Sequence, residues 1–147
     1  MSDLKNDLKE SIFTGFIDHS HNSNENLQPS LILNDRTKQL KVLTTIKKNL
    51  MECEEFFIST AFLRKSGVAV LINTLDEIEI KKIPGKVLVS EYLFFTEPEA
   101  LKSLLKFTNI ELRITRDKNF HGKEYIFRNA NNYNTIIGSS NLTQDAL

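Results

Sequence analysis

Strand-like and helix-like segments alternate through the middle of this 147-residue chain, and this order constrains the fold more than any other feature. The strand-like segments are rich in β-branched and aromatic residues, whereas the helix-like segments repeat apolar residues at helical spacing. In chain order, the predicted elements are a strand at 55–62, a helix at 65–80, a strand at 86–90, a helix at 97–107 and a strand at 110–115. Such alternation predicts right-handed crossovers. We therefore expect an α/β fold whose mixed, mainly parallel sheet is flanked by helices on both faces.

The beginning of the chain has a less regular pattern. Apolar residues at helical spacing predict a short helix over 3–13, with Asp3 as its cap. The polar segment 18–29 is predicted to be a loop. Its two histidines, His19 and His21, have no further metal ligand nearby in the sequence, so a solvated loop is the better interpretation. The remaining predicted elements are an extended or docking segment at 29–33 and a helix from Asn34 or Asp35 to about Met51.

Composition places the chain among ordinary globular domains and gives it no net charge. The 19 basic and 19 acidic side chains balance, which weighs against a purely electrostatic nucleic-acid binder while leaving room for a local basic patch. The single cysteine, Cys53, allows no intrachain disulfide and is typical of a reducing cytoplasm. No apolar run reaches membrane length, so we expect a cytoplasmic protein with no membrane partner.

The last stretch of the chain, 120–147, contains the residues best suited to chemistry. We predict two antiparallel strands joined by an Asn-rich loop at 129–134, followed by the start of a helix. His121 and Lys123 are two residues apart, so on a strand their side chains share one face. The second strand ends at Gly138, where the lack of a side chain allows close approach to a ligand.

This combination predicts an anion site, and phosphoryl transfer in particular. Ser139, Ser140 and Asn141 offer two hydroxyls and an amide, and a helix start adds free N–H groups. An imidazole can attack phosphorus or carry a proton, and a lysine supplies positive charge to phosphate oxygens. We see no set of metal ligands in the sequence, and we expect no metal and no cofactor.

The same residues resemble a known signature. The sequence His121-Gly-Lys123, followed by Gly138-Ser-Ser-Asn141, is similar to the HKD motif of the phospholipase D superfamily, H-x-K-x4-D and then G-S-x-N. The likeness is greatest to the phospholipase D-like domain at the N-terminus of bacterial DEAD/DEAH-box superfamily II helicases and to related restriction endonucleases. The supporting segments are 14–18, 61–62, 120–127 and 138–143, so that the resemblance extends over nearly the whole chain.

The resemblance implies a metal-independent, nuclease-type phosphodiesterase that acts on nucleic acid, with DNA as the expected substrate. It implies His121 as the nucleophile, Lys123 and Asn141 as phosphate clamps, and Ser139 rather than Ser140 as a further phosphate contact. Since the family uses two H-x-K motifs per site and this chain has one, it also implies a homodimer. Finally, it implies that residues 1–147 form a single domain at the N-terminus of a longer chain that contains a helicase.

The chain departs from the family pattern at the aspartate position, which is Arg128, and in a longer gap between Lys123 and Gly138. The acidic residue that orients the histidine in the family is not identifiable, and Glu124 should face away from His121. The alternative is therefore a catalytically impaired phosphate-binding or nucleic-acid-binding module that targets an attached helicase. A lipid phospholipase has little support. The chain has no G-x-x-x-x-G-K-[ST] motif, so ATPase activity is not expected.

One further segment, 90–96, has an unusual aromatic content. Because it follows a predicted parallel strand, it should lie at the edge of the sheet where ligands bind in such folds. Tyr92, Phe94 and Phe95 either form a surface that stacks nucleobases or pack against a helix or a partner subunit. The sequence leaves both interpretations open.

Overall fold

The structure, a computed structural model, describes residues 3–34, 42–117 and 119–147. The chain forms two compact units, Met1–Leu33 and Asn34–Leu147. In the first unit, helix α1 spans Leu4–Phe16, and the side chain of Asp3 caps it by accepting a hydrogen bond from the backbone N–H of Lys5 at 3.2 Å. The helix and its cap confirm the prediction, although α1 continues three residues past the predicted end.

The second unit contains three α-helices, one short 3-10 helix (Tyr92–Phe94) and five strands among its described residues. In chain order the α-helices and strands are α2 (Val42–Glu52), β1 (Glu55–Thr60), α3 (Lys65–Ile80), β2 (Gly85–Ser90), α4 (Pro98–Leu104), β3 (Ile110–Thr115), β4 (Lys123–Asn129) and β5 (Asn132–Ile137). The alternating elements of the sequence are therefore confirmed, with small shifts at their ends. Of the two predicted starts of the second helix, Asp35 lies outside the described residues, whereas Asn34 is described and its Oδ1 accepts a hydrogen bond from the backbone N–H of Val42, the first residue of α2, at 3.0 Å.

The five strands form one mixed sheet in the order β3-β2-β1-β4-β5. Strands β1, β2 and β3 are parallel to one another, whereas β4 pairs antiparallel with both β1 and β5. An α/β fold with a mixed sheet is thus confirmed. Half of the strand pairings are antiparallel, however, so the expectation of a mainly parallel sheet was too strong.

Among the described residues of the second unit, the helices pack on one face of the sheet, whereas we expected helices on both faces. Helix α3 contacts both α2 and α4, and the core side chains of β1, such as Phe56 and Ile58, lie on the same face. The opposite face presents half-buried or exposed side chains, among them Phe57, Lys86 and Ile126. The reason is topological: β1, β2 and β3 follow one another in a single direction, and right-handed crossovers in one direction place their helices on one face.

The final hairpin is tighter than its sequence suggested. Strand β5 begins at Asn132, which pairs with Asn129 across a two-residue turn, and Ala130 in that turn has a left-handed backbone with φ of 49°. The predicted loop over 129–134 is therefore wrong, because asparagines in this segment occupy strand positions on β5 as well as the turn. The predicted helix after Gly138 is also absent from the described residues. That segment forms turns instead, with the Leu147 N–H donating to the Thr143 carbonyl at 3.2 Å.

Candidate phosphate site

His121 and Lys123 are in contact at the start of β4, where Lys123 is the first residue of the strand and His121 lies two residues before it. The Lys123 Nζ lies 2.7 Å from the His121 Nδ1 and 2.8 Å from the His121 backbone carbonyl oxygen. The imidazole is exposed, whereas the lysine side chain is buried. The alkyl chain of Lys123 thus extends from the core face of the sheet and places the ammonium group beside the Nδ1 atom of an exposed imidazole.

The contact fixes which imidazole nitrogen carries the proton. An ammonium group is a donor only, so when Lys123 is charged the His121 Nδ1 must accept. The remaining nitrogen, Nε2, then carries the imidazole proton. In this arrangement His121 can donate a hydrogen bond to an anion through Nε2, but it cannot attack phosphorus with that nitrogen until Nδ1 is released.

Burial also affects the lysine itself. Removal from water disfavours the charged form of an amine, and this burial lowers the pKa of Lys123 from its ordinary value of 10.5. Among the described residues, no carboxylate pairs with the Lys123 ammonium. An anion would supply the missing opposite charge, which makes the lysine a candidate phosphate ligand.

Asn141 is held in place by its carboxamide oxygen. The Oδ1 accepts hydrogen bonds from the hydroxyl of Thr60 at 3.2 Å and from the backbone N–H of Phe62 at 3.3 Å. Thr60 is the residue directly opposite Lys123 in the β1–β4 register, so Asn141 lies near Lys123 across the sheet. No acceptor among the described residues takes a proton from the Asn141 Nδ2, which leaves this amide group for a ligand.

The residue after Asn141 is clamped between β1 and α3. The Leu142 N–H donates to the Thr60 hydroxyl at 3.2 Å, and the Leu142 carbonyl accepts from the Arg64 N–H at 3.1 Å. Helix α3 approaches so closely that a Cβ built on Gly67 would lie 1.9 Å from the Leu142 carbonyl oxygen. The segment that holds Asn141 is therefore fixed by backbone contacts on both sides.

The other three predicted site residues form a looser group. Gly138 and Ser139 are exposed, and Ser140 uses its carbonyl oxygen to accept a hydrogen bond from the Tyr125 hydroxyl at 2.8 Å. A Cβ on Gly138 would find nothing within 4 Å. The glycine is therefore not required by packing among the described residues, and the space beside its backbone is open to a ligand. Because no helix begins here, the predicted helix N–H groups are not available to bind an anion.

Sequence reasoning missed two residues that build this site. Thr60 connects Asn141 to β1, and the Ser90 hydroxyl donates to the Ala61 carbonyl at 2.6 Å. Tyr92, which the sequence analysis named only as a stacking or packing residue, has its ring 4.8 Å from the His121 ring between centroids. The only signal for Thr60 and Ser90 was their position at the carboxyl ends of two predicted parallel strands, which is where ligand sites form in such sheets.

Arg128, at the aspartate position of the phospholipase D signature, and Glu124, to which the sequence analysis gave no role, both have other contacts. Arg128 pairs with Glu54 at 3.2 Å and Glu55 at 3.1 Å, at the opposite end of β4 from Lys123. The hydrogen bond to Glu55 is the largest cause of a raised pKa for Arg128. Glu124 accepts from Ser59 on the opposite face of the sheet, as its position in the strand predicted. Among the described residues, no carboxylate contacts the His121 ring.

Groups that could hold a metal ion are also absent from the described ranges, where no three His, Cys, Asp or Glu side chains cluster. None of the helices in the same ranges is long and apolar enough to cross a membrane.

No protein-family model matches this sequence, and no curated protein matches it either. The resemblance to the phospholipase D superfamily therefore stays a prediction that depends on the two motifs.

Proposed function

We propose that the group of side chains around His121 binds a phosphodiester of nucleic acid, DNA in the first instance, and hydrolyses it without a metal ion. The observation that carries this proposal is the contact between an exposed imidazole and a buried lysine that has no carboxylate partner among the described residues. Asn141 supports the proposal, because hydrogen bonds hold its carboxamide oxygen while its Nδ2 has no acceptor among the residues that the structure describes. Lysine and amide donors can together neutralise and orient phosphate oxygens.

The reaction would begin with a change of partner for Lys123. Phosphate oxygens compete with the His121 Nδ1 for the ammonium, and once Lys123 turns to the phosphate, Nδ1 can carry the imidazole proton. The lone pair of Nε2 then forms a bond to phosphorus while the bond from phosphorus to the leaving oxygen breaks. That oxygen keeps the electron pair and accepts a proton from a general acid. A water molecule then gives a proton to the group that had acted as the acid, and its oxygen bonds to phosphorus while the bond from phosphorus to Nε2 breaks. Nε2 keeps the electron pair, so a phosphomonoester is released and the neutral imidazole is restored.

The general acid is the part that one copy of the motif does not supply. A second copy related by a two-fold axis would place another imidazole on the far side of phosphorus, and two-fold dimers are the commonest assembly. We therefore propose that the active form is a homodimer with both His121 side chains at one cleft. In the full-length protein, the domain would deliver this activity to an attached helicase.

One observation favours a second candidate function. The His121 Nδ1 is occupied by Lys123 rather than by a carboxylate that would hold a proton there. With Nε2–H and the ammonium both donating, this arrangement of the free protein is suited to binding a phosphate. In this candidate, the domain holds a nucleic-acid phosphate and targets the attached helicase without cleaving.

The test compares the wild type with His121→Ala and Lys123→Met, and uses His19→Ala, at an exposed position of the first unit, as a matched control. Cleavage and binding of labelled single-stranded and duplex DNA are measured with and without a chelator, and light scattering on the same samples gives the oligomeric state. We expect dimeric wild type to cleave in the chelator. Loss of His121 should lower the rate by at least about 10²–10⁴-fold, the range for general acid–base catalysis alone, because the variant also lacks the attacking group.

The two candidates give different results in this experiment. Binding that Lys123→Met weakens, with no cleavage by the wild type, would establish the binding module. Cleavage that requires magnesium and survives in His121→Ala would overturn the proposed site. A monomer that cleaves at the full rate would leave the site in place and refute the shared dimeric cleft.

A further inference from the structure

We propose that the turn Tyr92–Phe95 is a stacking platform for an unpaired nucleobase beside the phosphate held at His121. This inference rests on the proposed function and deepens it, because it makes single-stranded nucleic acid, or a base extruded from a duplex, the preferred ligand. It is carried by the way the turn is attached to the site and by the exposure of its tip.

Both flanking rings of the turn pack against the phosphate site. The Tyr92 ring lies 4.8 Å from the His121 ring at an interplanar angle of 55°. The Phe95 ring meets Phe62 edge-on at 5.5 Å, and Phe62 is the residue whose backbone N–H holds Asn141. The turn is therefore continuous with the site at both ends, through its imidazole and through its carboxamide. Tyr92 is half-buried and Phe95 keeps 44% of its surface exposed although its ring meets Phe62, so the tip between them is the most accessible part of the turn.

The tip of the turn carries apolar side chains in water. Phe94 is 89% exposed and Leu93 is 62% exposed, so the aromatic ring of Phe94 is the more accessible of the two side chains. Both residues adopt left-handed backbone conformations, with φ of 48° at Leu93 and 57° at Phe94. Neither is a glycine, and a side chain in this region is strained. Strain that positions an exposed aromatic ring beside a site is typical of a surface with a binding role.

Hydrogen bonds hold the strained turn in this form. The Tyr92 N–H donates to the Ser90 hydroxyl at 3.1 Å, and the hydroxyl of Thr96 donates to the Ser90 carbonyl at 2.8 Å. Within the turn, the Phe94 N–H donates to the Glu91 carbonyl at 3.0 Å. The ring of Phe94 is thus presented on a fixed backbone at the carboxyl end of β2. A fixed ring loses less conformational entropy on binding than one carried by an unstructured loop.

An unpaired base fits this surface better than a duplex does. A phosphate within hydrogen-bond reach of His121 lies next to Tyr92, so the base of an adjacent nucleotide can reach the ring two residues further along the turn. Aromatic side chains bind bases of any sequence by stacking, since each base has a π face. In a duplex those faces are covered by neighbouring bases, and only a single strand or an extruded base offers them.

The experiment measures binding by fluorescence anisotropy to one oligonucleotide as a single strand and as a duplex. The proteins are wild type, Phe94→Ala, Phe94→Trp and Leu105→Ala, the last being a comparably exposed apolar residue on the segment after α4. A titration with inorganic phosphate, followed through the NMR signals of the His121 ring, reports on the pocket separately. Lys123→Met serves as the variant that impairs the phosphate site.

We expect Phe94→Ala to weaken single-strand binding about 5- to 150-fold, the range for losing one base–aromatic stack. Phe94→Trp should restore the affinity, and Leu105→Ala should leave it unchanged. Duplex binding and the phosphate titration should not change in Phe94→Ala. The single strand should bind the wild type more tightly than the duplex.

Other outcomes separate the platform from the pocket. If Phe94→Ala binds the single strand as the wild type does while Lys123→Met binds it weakly, the platform is refuted and the phosphate site stands. If Lys123→Met binds both oligonucleotides as tightly as the wild type does, the proposed phosphate site is refuted, and the platform, which rests on that site, is refuted with it. An equal loss for single strand and duplex, or a change of oligomeric state in Phe94→Ala, would identify Phe94 as a backbone or protein contact and overturn the stacking proposal.

Discussion

The Nζ of Lys123 lies 2.7 Å from the Nδ1 of His121, and the same ammonium lies 2.8 Å from the histidine's own carbonyl oxygen. The Lys123 ammonium therefore contacts both the side chain and the backbone of His121. This double contact orients the ring and determines its tautomer, because the nitrogen that accepts from an ammonium cannot carry a proton of its own. Any ligand that draws the ammonium away changes the tautomer as well as the charge at the site.

The first prediction concerns this tautomer. In the free protein, ¹⁵N NMR of the imidazole should show His121 with its proton on Nε2. Inorganic phosphate should move the proton toward Nδ1, since the ammonium turns to the anion and stops donating to that nitrogen. In Lys123→Met the free protein should already lack the strong preference for Nε2–H, and phosphate should cause little further change.

His21 provides an internal control for this experiment, because it lies in the first unit and contacts Asp18 at 3.3 Å instead of a lysine. Its signals should respond neither to the Lys123 substitution nor, beyond a general salt effect, to phosphate. A His121 ring that carries its proton on Nδ1 in the free wild-type protein would contradict the arrangement described for this pair.

The order of elements could be read from the sequence because each predicted element has a clear local period. Segments 65–80 and 110–115 were predicted to the residue. The apolar pattern of 65–80 matches the face that the fold buries, apart from the exposed Ile72, whereas the alternating residues of 110–115 are at most half-buried and Ile114 is exposed. The faces of the sheet on which the helices pack could not be predicted in the same way. Whether helices lie on one face or both depends on the order of strands in the sheet, and strand order is a property of long-range pairing rather than of local pattern.

The candidate site was predictable only in part for the same reason. The proximity of His121 and Lys123 follows from their spacing on an extended segment. The position of Asn141 depends on Thr60, which is 81 residues away in sequence, and no local pattern links the two. The Asn-rich stretch before Gly138 misled the prediction, because asparagine's preference for turns was outweighed at Asn132 and Asn134 by pairing with β4.

The second prediction tests Thr60 as the connector of the site. Its hydroxyl is fully buried, shares its proton between the Phe62 carbonyl and the Asn141 carboxamide, and accepts from the Leu142 N–H. Thr60→Val keeps the shape and removes these hydrogen bonds, so the free energy of unfolding should fall by about 1–3 kcal/mol. Thr60→Ser keeps the hydroxyl and should preserve phosphate binding, with only a modest loss of stability. Chemical denaturation and phosphate titration of both variants measure this, and equal stability of Thr60→Val and the wild type would contradict it.

The third prediction compares two glycines that the structure treats differently. A Cβ at Gly67 would collide with backbone atoms of Leu142 at 1.9 Å and 2.3 Å, so Gly67→Ala should destabilise the fold by about 1–3 kcal/mol or more. Gly138 has open space, so Gly138→Ala should leave the free energy of unfolding within about 0.5 kcal/mol of the wild type. If a phosphate uses that space, Gly138→Ala should still weaken phosphate binding. Denaturation and phosphate titration of the two variants separate folding from binding, and a stable Gly67→Ala would contradict the close approach of α3.

The last prediction follows from the lowered pKa of Lys123 and concerns stability at alkaline pH. The folded protein releases the Lys123 proton at a lower pH than the unfolded chain, whose lysines titrate near 10.4. Between those two pKa values the unfolded chain binds more protons, so this residue makes stability rise with pH across that window. Below the folded pKa both states are protonated, and the full cost of burying the ammonium is present.

Lys123→Met removes this titration and keeps an apolar chain of similar length, so its free energy of unfolding should exceed that of the wild type most at neutral pH. The difference between the two proteins should narrow as the pH approaches about 10. Tyr125 opposes the trend, because burial raises its pKa and its ionisation in the unfolded chain favours unfolding at high pH. That effect is common to both proteins and cancels in the difference.

Lys106→Met, at an exposed position, corrects for the general effect of removing a lysine. Urea denaturation at several values between about pH 7 and pH 10 gives the result, and a difference that stays constant or widens with pH would show that burial does not lower the pKa of Lys123.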